Sequence, residues 1–324
     1  MVSPLQQTAG AGTNGTIEVV PLTLHIGAEI RGVDLSRPLP DSQLKAVREA
    51  FLKWKVIFFR NQELDHAQHV AMARQFGEPT IGHAVFGHIE GYPEIYSVAK
   101  NRAANEKYDA MMVTPWFGWH TDVTAAVNPP CASILRGVTI PPYGGDTFWT
   151  NLAAAYAGLS ETMRGFVDGL RGIHAFEPRG DGKAGGAYNE HVERRALKSE
   201  HPLVTIHAET GERVLFASPS FLKSVVGMTP RESAKILELL WEHVVRPEYT
   251  VRFKWNPGDI AMWDNRSTAH LAPRDIFQSD FDRQLYRITL VGEPLVGVDG
   301  KSSRSIEGRP VLSAAEELRT MAAE

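Results

Sequence analysis

The sequence is short of cysteine and of long apolar runs. Cys131 is the single cysteine among 324 residues, so an intrachain disulfide is impossible and a reducing compartment is expected. The longest apolar runs, such as Val56 to Phe59, are strand-sized and far short of the roughly 20 residues that a membrane-spanning helix needs. Residues 1–16 lack the basic and apolar segments of a signal peptide and are predicted to form a disordered tail. These absences predict a cytoplasmic protein with no membrane partner.

An excess of basic residues is also lacking. The chain carries 34 Lys and Arg against 38 Asp and Glu, a formal net charge of −4. Proteins that bind nucleic acid usually carry a basic excess or a basic stripe. We therefore expect no nucleic-acid partner.

What the chain does have is many short strand-like segments separated by Gly, Pro and Asn. Strands are predicted over residues 17–24, 55–60, 94–98, 132–138, 147–151, 171–176, 202–207, 213–217, 249–255, 259–264 and 285–292, with a hairpin turn at Thr210-Gly211. Helices are predicted over residues 40–54, 65–76, 153–170 and 229–245, the last opened by a capping box at Thr229 and Glu232. This pattern predicts a mainly β fold with flanking helices, either a sandwich or a barrel, and the jelly roll is the version that builds metal sites inside.

No internal repeat or clear linker divides the chain. We predict a single domain over residues 17–297, followed by a C-terminal tail over residues 298–324. Residues 177–200 are long, Gly-rich and charged without periodicity, and an insertion of this length in a compact domain is usually functional or disordered. We expect it to act as a lid or insert loop.

The most informative residues are two histidines and one aspartate. His120 and Asp122 lie at i and i+2, so on a strand both side chains project to the same side. His270 follows the polar cluster Asp264-Asn265-Arg266, where an apolar strand ends. Two His and one carboxylate on one face of an octahedron, with the other positions open, form the arrangement that binds Fe²⁺ in oxygenases.

An oxygenase of this type needs a source of two electrons. If that source is 2-oxoglutarate, its distal carboxylate needs a buried cation, for which the planar fork of arginine is well suited. Arg283 and Arg287 lie at i and i+4 on one predicted strand with Leu285 between them on the same face. The alternative is that both are surface arginines, as most arginines are.

At this point the residues resemble a known family, the taurine/2-oxoglutarate dioxygenases that depend on Fe²⁺. The resemblance extends over nearly the whole chain after residue 17 and rests on a combination of motifs. The matching segments are Gly27 to Leu35 (GAEIRGVDL), Val56 to Gln62 (VIFFRNQ), Trp119 to Thr124 (WHTDVT), Tyr143 to Trp149 (YGGDTFW), Trp263 to His270 (WDNRSTAH) and Arg283 to Arg287 (RQLYR).

The resemblance implies a double-stranded β-helix, the cupin-like form of the jelly roll, with His120, Asp122 and His270 as the iron ligands. It also implies that Thr147 and Arg283 hold the distal carboxylate of 2-oxoglutarate, with Arg287 near its inner carboxylate and the substrate. Fe²⁺ is then the cofactor, 2-oxoglutarate and O₂ are cosubstrates, and succinate and CO₂ are released. Members of the family commonly form dimers or tetramers, so a homo-oligomer is expected.

The substrate pocket implied by the resemblance departs from that of taurine enzymes. His83 and Arg287 correspond to the residues that hold the sulfonate, and Phe221 corresponds to an aromatic wall. Phe86, Pro115 and Trp116 stand where taurine enzymes hold the amine with polar groups, so a cationic amine would lose its acceptors here. We expect a small organic anion with a more apolar body than taurine: an alkyl sulfate, a longer alkylsulfonate or an aryloxyalkanoate.

Two other functional classes remain open at this stage. A jelly-roll protein could bind a divalent metal without catalysis, but it would not need Thr147, Arg283 and Arg287. A zinc hydrolase could use the same three ligands, and it would act without 2-oxoglutarate or O₂.

Overall fold

The computed structural model describes residues 17–83, 86–99, 114–176 and 195–323. Within these ranges the chain forms seventeen strands and six α-helices, numbered β1 to β17 and α1 to α6 in chain order. The strands are Glu18–Pro21, Ala28–Arg31, Val56–Phe59, Tyr96–Ala99, Ala132–Thr139, Thr147–Asn151, Arg171–Ala175, Lys198–Pro202, Val204–Ile206, Arg213–Leu215, Leu222–Val225, Thr250–Phe253, Ile260–Asp264, Thr268–Leu271, Gln284–Leu290, Val296–Gly297 and Arg304–Glu307. The helices are Asp41–Trp54, His66–Arg74, Leu152–Ala157, Glu161–Val167, Pro230–Val244 and Ala314–Ala323.

Two facing sheets build the core of the domain. The larger sheet has seven strands in the order β1-β2-β3-β13-β5-β15-β4, and the sheet that faces it has the order β12-β6-β14. Between them lies an apolar core that includes Phe58, Leu135, Trp149, Phe253 and Leu285. This is the mainly β jelly roll, or double-stranded β-helix, that the sequence predicts.

Strand β13 shows how residue alternation separates the two faces of the larger sheet. Ala261 and Trp263 belong to the core between the sheets, whereas Ile260 and Met262 belong to a second core on the opposite face. All four are buried. Because side chains alternate along a strand, a sheet buried on both faces requires such a continuous apolar run.

Helices cover the outer faces of both sheets. Helices α1 and α2 contribute Val47, Phe51 and Val70 to the core outside the larger sheet, and α5 contributes Leu237 and Leu240 to the core outside the smaller one. The predicted start of α5 is confirmed. Thr229 accepts a hydrogen bond from the backbone N–H of Glu232, whose side chain accepts one from the backbone of Thr229, with Pro230 in the first turn.

The hairpin prediction is confirmed, and the prediction of one long helix over residues 153–170 is wrong. Strands β9 and β10 pair antiparallel across Thr210-Gly211, with Gly211 at φ 70°. In place of one helix, α3 ends at Ala157, and Ser160 caps α4 by accepting a hydrogen bond from the N–H of Met163. The polar cap at Ser160 begins a new helix because its hydroxyl satisfies an N–H group that otherwise has no partner.

The segment assigned from the sequence to a C-terminal tail contains regular structure. Strand β17 pairs with β8, and the N–H of Ala314 at the start of α6 donates to the carbonyl of Pro79. Of the predicted lid, residues 198–200 belong to β8, whereas residues 177–194 and the predicted tail at residues 1–16 lie outside the described residues. Among the described residues, no helix combines the length and apolarity needed to cross a bilayer.

A buried ion-pair network fixes the turn between β13 and β14, which precedes His270. The carboxylate of Asp264 accepts hydrogen bonds from Nε and Nη2 of Arg266 at 2.9 and 2.8 Å and lies 2.9 Å from Nε2 of His207. The backbone N–H groups of Glu209 and Thr210 donate to Nδ1 of the same imidazole. Nε2 of His207 therefore carries the proton and donates it to Asp264.

This network predicts that the protein loses stability in acid. Burial alone would raise the pKa of Asp264, but the hydrogen bonds from His207 and Arg266 lower it to about 2. A carboxyl whose pKa is depressed by folding stabilises the native state above its unfolded pKa and loses that contribution as the pH falls towards its folded pKa. We expect about 2 kcal/mol of unfolding free energy to disappear between about pH 5 and pH 2 through this group.

The measurement is the unfolding free energy of the wild-type protein and of Asp264→Asn against pH. The variant should be less stable than the wild type at pH 7. The difference in unfolding free energy between the two proteins should shrink as the pH falls. A difference that stays constant from pH 7 to pH 2.5 would contradict the assignment.

Candidate metal centre

Two histidines and one aspartate that are distant in the sequence converge at one end of the jelly roll. His120 and His270 form an antiparallel bridge, with reciprocal backbone hydrogen bonds of 2.9 and 2.7 Å, and His270 lies on β14. Asp122 lies in the turn that follows His120. One potential ligand atom from each of the three side chains lies within 4.8 Å of the others. The three ligands predicted from the sequence are therefore brought together.

The protonation states of these residues suit metal binding. Burial lowers the pKa of both His120 and His270, so both imidazoles are neutral at pH 7. Nδ1 of His120 lies 3.0 Å from the carbonyl oxygen of Gly118 and donates its proton there, which leaves the lone pair of Nε2 available. Burial alone would raise the pKa of Asp122, but the charge of Arg287 holds it well below the usual range. The donor set is thus two neutral imidazoles and one carboxylate.

The two oxygens of the Asp122 carboxylate have different surroundings. Oδ1 accepts a hydrogen bond from Nη1 of Arg287 at 2.5 Å and lies 4.0 Å from Nε2 of His120. Oδ2 accepts a hydrogen bond from the hydroxyl of Ser133 at 2.6 Å. Arg287 extends from β15, and its guanidinium also lies 5.3 Å from the centre of the Tyr96 ring. Arg287, which is predicted to lie near the inner carboxylate of 2-oxoglutarate and the substrate, thus contacts one of the three candidate metal ligands.

Thr147 and Arg283, the predicted anchors for a distal carboxylate, lie on adjoining parts of the barrel wall. Arg283 is 8% exposed, and Gly145, two residues before Thr147, packs against it. A Cβ added at Gly145 would lie 3.0 Å from Cδ and Nε of Arg283. Among the described residues, the guanidinium makes one hydrogen bond, from Nε to the carbonyl oxygen of Gly145 at 3.1 Å. The N–H groups on its two terminal nitrogens are therefore available to donate hydrogen bonds to an anion.

The hydroxyl of Thr147 is oriented by a tryptophan that the sequence does not single out. Nε1 of Trp255 donates to Oγ1 of Thr147 at 3.0 Å, and both residues are buried. Because an indole N–H can only donate, the threonine proton points elsewhere and can be given to a ligand. Burial lowers the pKa of Arg283 to about 10, partly opposed by Asp275 and Asp146, so the guanidinium remains charged at pH 7.

Aromatic rings connect the metal ligands to the predicted substrate residues. The ring of Phe221 lies 6.2 Å from that of His120 and 5.0 Å from that of Phe176. The His83 ring lies 6.3 Å from Phe176 and 4.5 Å from Phe86. The structure thus brings His83, Phe86 and Phe221 to one side of the metal ligands.

Within the described part of the chain, the ring contacts that connect His83, Phe86 and Phe221 do not include Trp116 or Pro115. The Trp116 ring lies 6.3 Å from that of Trp241 on α5, and Pro115 is exposed. Two residues that the sequence does not single out, Phe176 and Tyr96, also lie on the aromatic side, in ring contact with His83. Phe176 ends a predicted strand, which gave no sign of where its ring would point, and Tyr96 lies 4.9 Å from His83 between ring centres.

The fold and the site together define a class of protein: a jelly roll with two histidines and one carboxylate on one rim and a buried arginine beside them. The chain belongs to the taurine catabolism dioxygenase TauD, TfdA family, whose model matches residues 18–289. This is a family of α-ketoglutarate-dependent dioxygenases, as the resemblance in the sequence implies.

Two characterised relatives and one solved structure illustrate the similarity. The chain is 38% identical over 299 residues to an α-ketoglutarate-dependent sulfate ester dioxygenase of Pseudomonas putida, covering 89% of this chain and 94% of the relative. It is 36% identical over 297 residues to an alkylsulfatase of Acinetobacter baylyi, covering 89% of each. A putative α-ketoglutarate-dependent taurine dioxygenase from Burkholderia xenovorans is 61% identical with a TM-score of 0.81, covering 91% of this chain and 100% of that structure.

Proposed function

We propose that the protein hydroxylates an alkyl sulfate or a similar small organic anion, with His120, Asp122 and His270 as Fe²⁺ ligands and 2-oxoglutarate and O₂ as cosubstrates. The observation that carries this proposal is the convergence of the three ligand atoms within 4.8 Å, with the buried Arg287 in contact with Asp122. Two neutral imidazoles and one carboxylate fit Fe²⁺ and leave positions open for other ligands.

The bound iron would supply the oxidative chemistry, in which 2-oxoglutarate and O₂ yield succinate and CO₂ and one oxygen atom enters a C–H bond of the substrate. Side chains of the protein bind the cosubstrate and keep the aspartate ligand ionised. Arg283 and Thr147 hold the distal carboxylate of 2-oxoglutarate through its charge and a hydroxyl proton. Arg287 keeps Asp122 ionised by pairing with Oδ1 at 2.5 Å.

The aromatic side of the site is proposed to bind the substrate. His83 and Arg287 offer donors to an anionic head group, and Phe86, Phe176 and Phe221 offer apolar surface to its body. Apolar rings cannot accept hydrogen bonds from an ammonium group, so a cationic amine would lose solvation without compensation. The similarity to a sulfate ester dioxygenase and to an alkylsulfatase supports a sulfate ester as the substrate of this chain.

Hydroxylation of the carbon next to the ester oxygen would also explain cleavage of a sulfate ester. The product carries a hydroxyl and a sulfate group on the same carbon. Loss of the hydroxyl proton and of sulfate, with both electrons of the C–O bond leaving on sulfate, gives an aldehyde. No hydrolytic water is needed.

A substrate panel scored by succinate formation tests the proposal. We expect hexyl sulfate, or failing that an aryloxypropionate, to be turned over at least about tenfold more efficiently than taurine, because pairing an amine with apolar rings costs more than 1.4 kcal/mol. Reactions lacking Fe²⁺ or O₂ should form no succinate. Efficient sulfite release from taurine would contradict the pocket assignment, and sulfate release without O₂ would indicate a hydrolase instead.

A further inference from the structure

We propose that Ser133, held by Asn265 and Trp263, is a positioning residue that turns one oxygen of the Asp122 carboxylate towards the metal and keeps the other away from it. The inference rests on the proposed function, because it takes Asp122 to be a metal ligand. It assigns a role to three buried side chains that neither the sequence motif nor the cosubstrate site explains.

A chain of three hydrogen bonds ends on the carboxylate. Nε1 of Trp263 donates to Oδ1 of Asn265 at 2.9 Å, and Nδ2 of Asn265 donates to Oγ of Ser133 at 2.8 Å. The hydroxyl of Ser133 then donates to Oδ2 of Asp122 at 2.6 Å. All four residues are at most 3% exposed.

The chemistry of the donors gives this chain one direction. An indole N–H has no lone pair to accept with, so it fixes the oxygen side of the Asn265 amide towards Trp263. The amide nitrogen of Asn265 must then face Ser133 and donate to it. With its oxygen occupied as an acceptor, Ser133 has its single proton left for Asp122. The orientation of each group therefore follows from Trp263.

The effect on Asp122 is to distinguish its two oxygens. Oδ1 lies on the side of His120 and Arg287, at 4.0 and 2.5 Å from their nitrogens, whereas Oδ2 is occupied by Ser133. Each oxygen keeps a further lone pair, but the bond from Ser133 fixes the plane of the carboxylate so that Oδ1, and not Oδ2, faces His120. Without Ser133 the carboxylate could rotate about its Cβ–Cγ bond, so Oδ1 would no longer be held in place for a metal and the affinity for the metal would fall.

The backbone of these residues is rigid, which suits a positioning role. Ser133 on β5 is the cross-strand partner of Trp263 on β13, and the N–H of Asn265 donates to the carbonyl of Cys131 at 3.0 Å.

Anaerobic titration with Co²⁺ tests the proposal without turnover. The readouts are the dissociation constant and the visible d–d absorption, whose intensity depends on coordination number. For Ser133→Ala we expect a dissociation constant raised about 10- to 100-fold, the usual effect of removing a group that orients a metal ligand, and an altered spectrum. Asn265→Ala keeps the hydroxyl but frees its proton, so a smaller change in the same direction is expected.

Ser233→Ala is the matched control. Ser233 is 2% exposed, and its hydroxyl accepts a hydrogen bond from the N–H of Val225 at 2.8 Å, away from the ligands. The Ser233→Ala variant should bind Co²⁺ with the same dissociation constant as the wild type. If Ser133→Ala also binds Co²⁺ with the wild-type constant and spectrum, the positioning role is refuted while the metal site stands. The wild type should bind Co²⁺, and His120→Ala should abolish that binding. If the wild type binds no Co²⁺, or if His120→Ala binds it equally well, the proposed function fails and this inference with it.

Discussion

Asp122→Asn is expected to lower iron-dependent succinate formation at least about a hundredfold, because it removes the anionic ligand itself, and losing even a residue that only orients a metal ligand typically costs about 10- to 100-fold. The variant keeps the size of the side chain and removes the anionic ligand. It also leaves the buried guanidinium of Arg287 without its carboxylate at 2.5 Å. The measurement is succinate formed per minute at saturating Fe²⁺ and 2-oxoglutarate, together with the apparent affinity for Fe²⁺.

Asp259→Asn provides a matched control for this substitution. Asp259 is also fully buried and paired with an arginine, Arg60, at 2.5 Å. Burial raises the pKa of Asp259 despite that partner, so a neutral side chain is tolerated better there than at Asp122. We expect near wild-type turnover from the control. Equal activity of the two variants would show that Asp122 does not bind the metal.

Arg283→Ala is expected to raise the concentration of 2-oxoglutarate needed for half-maximal rate by about 30-fold or more. Truncating one partner of a buried, hydrogen-bonded charge pair costs about 2–5 kcal/mol, because the other charge stays buried without compensation. The maximal rate should fall less than the affinity, since Arg283 contacts the end of the cosubstrate that does not react. The measurement is the dependence of the succinate rate on 2-oxoglutarate at saturating iron.

Arg246→Ala controls for the loss of an arginine elsewhere. Its guanidinium pairs with Glu248 at the surface, where half of the side chain is exposed. We expect no change in the 2-oxoglutarate requirement for this variant. For Arg283→Lys, an intermediate requirement is expected, because a lysine keeps the charge but loses the planar fork of donors. Unchanged 2-oxoglutarate dependence in Arg283→Ala would refute its role.

The candidate metal ligands and the fold could be predicted from the sequence for a physical reason. A metal site needs specific donor atoms, and His120, Asp122 and His270 offer them within short, recognisable segments. Strand alternation and the capping box at Thr229 are likewise local signals, and they predicted most of the barrel strands and the start of α5 correctly. The break between α3 and α4 was missed because the apolar pattern continues across Ser160.

The residues around the ligands were harder to find because their roles depend on long-range contacts. Ser133 is an unremarkable strand residue until β5 and β13 pair and place it against Asn265, 132 positions away. Phe176 joins Phe221 across a 5.0 Å ring contact that no local pattern encodes. Trp116, which the family resemblance places among the substrate residues, has its ring 6.3 Å from that of Trp241, a contact that no local pattern encodes either.

The most direct test is a crystal structure obtained anaerobically with Fe²⁺ and 2-oxoglutarate. We expect one iron ion bound by His120, Asp122 and His270, with 2-oxoglutarate chelating the ion and its distal carboxylate on Arg283 and Thr147. An ion bound elsewhere, or a ketoacid whose distal carboxylate does not reach Arg283, would contradict this expectation.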